Sequence, residues 1–229
     1  MKTISIIIPC FNEAKMLEFL LQSLHTVQEQ GSEISFEVIV VDGGSKDPSL
    51  AVASKYTDLV LSTSKGRALQ QNIGAENAKG DYFWFLHADS KFDTALIQNY
   101  FSVIIASGWG RFAVKLSGKS YIFRVIEWFM NKRSCLSAIA TGDQGIFVRA
   151  DLFKKVGGFP AQALMEDIEI SKRLKKMAKM NCANTPRIIT SSRKWQQEGI
   201  LKTIFLMWYL RFLYFIGTSP DRLAEKYYK

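Results

Sequence analysis

A few short stretches of this 229-residue chain concentrate the groups that do chemistry. "FLHADS" at 85–90 closes an apolar run with His87 and Asp89. Positions two apart in extended backbone point to the same side. Carboxylate oxygens suit a hard cation, and imidazole accepts transition metals more readily than Mg²⁺. The pair reads either as cation ligands or as an ordinary strand end with a polar turn. Asp42 ends "FEVIVVD" and is followed by Gly43 and Gly44. That puts an acceptor at a strand end beside backbone that a ligand can approach closely; the plainer reading is an Asp-Gly turn. Lys65 and Arg67 stand ahead of a helical pattern whose N-terminus favours phosphate. "MEDIEIS" offers Glu166 and Asp167. A neighbouring carboxylate and partial burial raise such a group towards the range of a general base. The alternative is an acidic first helical turn that complements the helix dipole. "TGDQGIFVR" holds Asp143 and Gln144 in a glycine-flanked turn.

These groups need a frame, and the hydrophobic pattern predicts one. "ISIIIP", "FEVIVVD", "LVLST" and "YFWFLHA" are continuous apolar runs, as strands buried on both faces should be. Between them lie helical patterns. "EAKMLEFLLQSLHTVQEQG" has Met16, Leu17, Leu20, Leu21, Leu24 and Val27 at helical spacing and stops at Gly31. "DPSLAVASKY" is a short helix with Asp47 as its N-cap, and "GRALQQNIGAENAKG" is a third helix. Strand–helix alternation predicts a parallel α/β sheet, whose ligands bind beyond the carboxyl ends of the strands. Asp42, Arg67 and His87 all fall at such ends. The second half is less regular: helices over "TALIQNYFSVIIAS", "YIFRVIEWFMNKRSCLSAI" and "MEDIEISKRLKKM", strands over "GRFAVKL" and "PRIITSSRKW", and a strand, turn and short helix over "GDQGIFVRADLFKKVGGFP". Residues 1–229 read as one domain: 1–90 the ligand-binding half, 91–195 the catalytic half, and 196–229 a basic, aromatic helical segment.

Three cysteines, Cys10, Cys135 and Cys182, show no CxxC spacing. That argues against a disulfide framework or zinc ribbon and for a reduced, cytoplasmic setting. The net charge of +9 is concentrated at one end. Residues 171–229 hold 13 Lys/Arg against three Asp/Glu, whereas residues 1–170 hold 17 against 18. The same quarter carries "ILKTIFLMWYLRFLYFIG", marginal in length for a membrane span and interrupted by Lys202 and Arg211. An interfacial helix at the inner face of a membrane is one reading, and a packing or homodimer helix the other. No nucleic-acid-binding motif is present.

In order, "SIIIPCFNE", "EVIVVDGGSKD", "FLHADS", "GDQGIFVR" and "GGFP…MEDIEIS" resemble the motifs of inverting family-two glycosyltransferases, over roughly residues 4–195. The resemblance implies a GT-A fold, a Rossmann-like, mostly parallel sheet flanked by helices, with an irregular acceptor-side half. It implies a nucleoside-diphosphate sugar donor, UDP-linked by preference, around Pro9, Phe11, Glu13, Asp42, Gly43, Arg67, Asn72, His87 and Ala88. Asp42 would accept from a base N–H. Asp89 matches the family's metal-binding aspartate, with Mn²⁺ or Mg²⁺ as cofactor, while His87 stands where the usual first aspartate would be. Asp167 matches the catalytic base, with Glu166 in support. Asp143 and Gln144 fall beside the sugar and acceptor. Arg193 and Trp195 partly match a Gln-x-x-Arg-Trp element of processive relatives. The basic C-terminal quarter adds a lipid or lipid-linked acceptor to these expectations. A sugar-nucleotide nucleotidyltransferase is disfavoured because "PCFNEAK" lacks a Gly-rich pyrophosphate loop. A non-catalytic nucleotide-sugar-binding or membrane adaptor protein is the remaining alternative, and it predicts that Asp167 is dispensable.

Overall fold

The structure, a computed structural model, describes residues 2–31, 33–57 and 59–227, apart from the side chain of Lys194. The first half alternates as β1 (Thr3–Cys10), α1 (Ala14–Gln30), β2 (Ser35–Asp42), α2 (Ser49–Ala53), β3 (Val60–Ser62), α3 (Arg67–Asn77) and β4 (Tyr82–Phe85). A 3-10 turn at Thr94–Leu96 leads into α4 (Ile97–Ile105), β5 (Trp109–Leu116) and α5 (Tyr121–Ser137). After a second such turn at Gly142–Gln144 come β6 (Phe147–Arg149), α6 (Ala150–Lys155), α7 (Glu166–Leu174) and β7 (Asn181–Thr190). The chain closes with α8 (Arg193–Glu198), α9 (Ile200–Phe215) and α10 (Pro220–Tyr227).

One seven-stranded sheet has the order β3-β2-β1-β4-β6-β5-β7. β6 pairs antiparallel with both neighbours, and the other pairings are parallel. The apolar runs follow from burial on both faces. Ile4, Ile6, Ile8 and Trp84 face α1 and α4, packing with Leu17, Leu20, Leu21, Leu24 and Tyr100. Ile7, Phe83 and Phe85 face the other way, into a core with α3, α6 and α7. Each fully buried Leu or Ile contributes about 1.5–3 kcal/mol of transfer free energy. α3 lies so close to the sheet that a Cβ at Gly74 would stand 2.5 Å from Ile7 Cγ2.

Three expectations change. Cys135 and Cys182 are joined as a disulfide between α5 and β7, with Cα atoms 5.8 Å apart. Their separation of 47 residues in sequence concealed that proximity. Pro48, not Asp47, occupies the N-cap of α2. Asp47 instead accepts from Ser49 N (3.1 Å) and from Ala14 N (3.0 Å), tying the start of α1 to the loop after β2. β7 runs Asn181–Thr190, starting ahead of the expected Pro186 and ending short of the expected Trp195, where α8 takes over, and the expected C-terminal helical segment divides into α9 and α10.

Candidate active site

The parallel strands β1, β2 and β4 end at the same edge of the sheet, and side-chain hydrogen bonds join the loops that follow β1 and β2. Asn12, in a left-handed conformation (φ 53°), accepts from Lys46 N at 2.7 Å, and its own N–H donates to Ser45 Oγ at 2.8 Å. Glu13 N donates to Ser49 Oγ at 3.1 Å. Asp42 lies between these loops and is 1% exposed. Its Oδ2 accepts from the N–H groups of Gly44 and Ser45, each at 2.9 Å. Its Oδ1 is buried with no hydrogen-bond partner among the described residues. Gln70 of α3 closes the floor, donating to Cys10 O (2.7 Å) and Val41 O (2.8 Å). A buried carboxylate oxygen without a donor is rare in folded proteins, and it fits a ligand N–H.

Arg67 opens α3 and pairs with Glu166 at 3.1 Å, linking the first half of the chain to α7. Burial pushes the Glu166 carboxyl up, against the pull of Arg67. Asp167 sits beside it in the first turn of α7. Its Oδ2 accepts from Gly142 N (3.1 Å) and its Oδ1 from Ile168 N (2.7 Å), so two backbone donors fix the carboxylate's orientation. Gly142 is needed where it is, because a Cβ there would lie 2.5 Å from His87 Nε2. That nitrogen is itself buried without a partner among the described residues. Burial, with Arg67 as the second cause, lowers the His87 pKa to about 3, so the ring is neutral at ordinary pH.

Asp89 is half-buried and in no ion pair among the described residues. Burial raises its pKa; Glu13 and Asp143 raise it further, and Arg193 opposes them. Arg193 also pairs with Glu13 at 3.4 Å. No group of three or more His, Cys, Asp or Glu side chains among the described residues is arranged to hold a metal alone. The donor set still fits a divalent cation. Mg²⁺ is commonly held by one or two carboxylates with substrate phosphates completing its shell. An unpaired, half-buried Asp89 among acidic neighbours has that character, whereas His87 presses Nε2 against Gly142.

Asp143 accepts from Thr141 Oγ1 at 2.5 Å. Burial raises its pKa, Asp167 adds to the rise, and Arg133 and Arg211 counter it. These two arginines, from α5 and α9, were not singled out from the sequence for this side of the site. A polar framework holds the base of α5 in place. Arg111, fully buried, donates to Ser134 Oγ (2.9 Å), Asn131 O (2.9 Å) and Ala183 O (3.2 Å). Gln144 belongs to the same framework. Its Nε2 reaches Ser134 Oγ at 3.1 Å and its Oε1 accepts from Thr141 N at 3.1 Å.

Comparison with known proteins finds glycosyltransferases. The model of the family described as "Glycosyl transferase family 2" matches residues 5–108. Over those residues the chain is similar to family 2 glycosyl transferases. An uncharacterized glycosyltransferase of Haemophilus influenzae is 29% identical over 185 residues, which are 75% of this chain and 61% of that relative. The chain therefore spans about 60% of the length of the first curated relatives it matches. The mannosyltransferase PcManGT of Pyrobaculum calidifontis, solved with GDP-Man and Mn²⁺, aligns with a TM-score of 0.68 at 17% identity, covering 97% of this chain and 68% of that one. TarS 1–349 of S. aureus, solved with UDP-GlcNAc, aligns at 0.62 and 18% identity, covering 83% of this chain and 58% of that one. The fold is GT-A.

Contacts and electrostatic coupling link Glu13, Arg67, His87, Asp89, Asp143, Glu166 and Asp167 into one cluster. Asp42 is buried at the end of β2, and a Cβ on Gly43 would lie 3.1 Å from Gln70 Nε2. Pro9 pairs with Val41 inside the sheet, Ala88 is buried in the core, and Phe11 carries Lys65 Nζ 4.4 Å above its ring. Asn72 holds the backbone of Phe159 at both ends of its amide, 2.8 and 2.9 Å, where a Cβ on Gly158 (φ +67°) would come within 2.8 Å of Oδ1. Trp195 packs with Phe123 and Ile126 beneath α5 and α9. For Asn72, Gln144 and Trp195 the visible contacts are thus with the protein's own framework.

Proposed function

We propose that this chain transfers a sugar from a nucleoside-diphosphate donor, UDP-linked by preference, to an acceptor hydroxyl with inversion at C1. The observation that carries this reading is the free Oδ1 of buried Asp42 at the same sheet edge as Asp89 and Asp167. In this reading Oδ1 accepts the base N–H, and the glycine backbone at 43–44 lets the ribose approach. Arg67 and Lys65 face the diphosphate. Asp89 would hold Mn²⁺ or Mg²⁺, which supplies positive charge to the departing diphosphate. Asp167, oriented by Gly142 and Ile168, takes the proton from the acceptor hydroxyl as its oxygen bonds C1. The C1–diphosphate bond breaks on the opposite face, and the diphosphate leaves with the bonding pair. Glu166 holds Arg67 in place.

The acceptor reading is a lipid or lipid-linked hydroxyl met at an anionic membrane surface on the cytoplasmic side. It rests on α5 and α9, which share a small core and leave Trp128, Phe129, Phe205, Trp208 and Phe212 each more than half exposed. The basic C-terminal quarter supplies complementary charge. No helix of the described residues is long and apolar enough to cross a membrane. A homodimer through α9 is the competing use of the same surface, and it predicts a doubled mass in lipid-free solution.

The test is a thermal-shift panel of UDP-, GDP- and dTDP-sugars with and without Mn²⁺. A bound donor raises the melting temperature. UDP-sugars should give the largest rise, larger still with Mn²⁺. No rise with any donor sinks the proposal, and donor hydrolysis undiminished in Asp89→Ala sinks the metal assignment.

A further inference from the structure

Arg133 and Arg211 reach the acceptor side of the site from two different helices, α5 and α9. Neither forms a salt bridge among the described residues. Arg211 Nε is buried and has no hydrogen-bond partner among those residues. Arg133 is only partly exposed. The two guanidinium groups lie within electrostatic reach of each other, and both act on Asp143. Burial, followed by the charge of Arg211, lowers the Arg133 pKa to about 10. Arg211 is also an odd residue for its helix, the one Arg within "ILKTIFLMWYLRFLYF". Two partly buried cations near one another are costly unless anions join them, and Asp143 supplies one carboxylate for the two. Arginine's planar fork is suited to gripping two oxygens of one oxyanion at once.

The donor's diphosphate is an unsuitable partner for them. Its cations are already placed: Arg67 lies against Glu166 and His87, and Arg193 lies against Glu13 and Asp89. Arg133 instead acts on both Asp143 and Asp167, and Arg211 on Asp143, on the side where the attacking hydroxyl must sit.

We propose that Arg133 and Arg211 form an oxyanion subsite for the acceptor, which carries a phosphate-type group close to its reacting hydroxyl. This rests on the transferase reading of Asp167 given above. Two sources share that chemistry: a lipid phosphate brought in along the exposed aromatic face of α9, and a water-soluble phosphorylated acceptor.

The experiment titrates the full chain, saturated with UDP, with inorganic phosphate, with glycerol 3-phosphate, and with farnesyl phosphate in phosphatidylcholine vesicles. The same titrations are run on Arg133→Gln/Arg211→Gln and on Arg133→Lys/Arg211→Lys, with UDP affinity measured separately and folding checked by thermal melting. At least one phosphate probe should bind the wild type. Its affinity should fall at least about tenfold in the Gln pair, by an intermediate factor in the Lys pair, and UDP affinity should stay within about threefold in both. Binding confined to farnesyl phosphate assigns the lipid source, and binding of glycerol 3-phosphate the soluble one. The subsite is overturned if no probe binds a wild type that binds UDP, if the Gln and Lys pairs both bind phosphate as the wild type does, or if UDP affinity falls in parallel. A wild type that binds phosphate but no nucleotide sugar defeats the transferase reading alone and leaves the anion site standing.

Discussion

Asp42→Asn isolates the recognition of the base. The Gly44 and Ser45 N–H groups both point at Oδ2, 2.9 Å away, so the introduced amide must turn its oxygen to them. Its NH₂ then occupies the place of the free Oδ1. The shape is kept and only one acceptor becomes a donor. Stability should change by about 1 kcal/mol, because the two bonds to backbone lose charge assistance but survive. Donor binding should change more. A hydrogen bond to a buried carboxylate is worth about 1.5–3 kcal/mol, so losing it weakens UDP by roughly 10- to 150-fold. The substitution should also invert the base preference. Uracil presents an N3–H, whereas cytosine presents a bare N3 that the introduced NH₂ can satisfy. Isothermal titration of wild type and Asp42→Asn with UDP and CDP reads both effects. UDP should lose affinity and CDP should gain it relative to wild type. Equal affinities of both proteins for both nucleotides would refute the placement of the base at Asp42.

Gly142→Ala should destabilise the protein by about 1–3 kcal/mol, since its Cβ would meet His87 Nε2 at 2.5 Å, and His87→Ala in the same chain should recover most of that loss. Urea midpoints of the two single variants and the double variant measure the coupling. Glu166 has its pKa raised by burial, so its contribution to stability is present below the unfolded value and fades as pH rises through the folded one. The stability of Glu166→Gln relative to wild type should therefore improve from pH 4 to pH 8, and a flat difference would contradict the buried charge. Replacing Phe205, Trp208 and Phe212, which are 72, 73 and 59% exposed, by Gln should abolish sedimentation with anionic vesicles while leaving the melting temperature nearly unchanged.

The sheet was legible because its strands are buried on both faces and so write continuous apolar runs; "SIIIPC" and "YFWF" could be little else. α1 was legible from its leucine spacing and from Gly31, which takes φ 78° at its end. β7 was misjudged at its start because "NCANT" is polar and lies in a strand at the sheet edge, where one side needs no apolar residues. Acidic residues beside glycine pairs stood out in the sequence, Asp42 just before Gly43-Gly44 and Asp167 after Gly157-Gly158. Polar residues whose partners are distant backbone were not legible as such: Asn72 grips Phe159, 87 residues away, and nothing in "QQNIG" indicates that. Arg211 did stand out, as a charge that made a membrane span costly. That it turns inward, towards Asp143, depends on how α9 packs, which the pattern of a helix apolar all round does not specify. Cys135 and Cys182 show the same limit, since tertiary proximity leaves no mark on spacing.

The central claim is that Asp167 removes the acceptor's proton during inverting transfer from a nucleotide sugar. Proton NMR of UDP release from an α-linked UDP-sugar, following the anomeric signal of the product in wild type and in Asp167→Asn, tests it most directly. The account predicts a β-configured product from wild type. It predicts that Asp167→Asn binds UDP as tightly as wild type yet turns over about 10²- to 10⁴-fold more slowly. Turnover undiminished in Asp167→Asn, or an α-configured product, would contradict it.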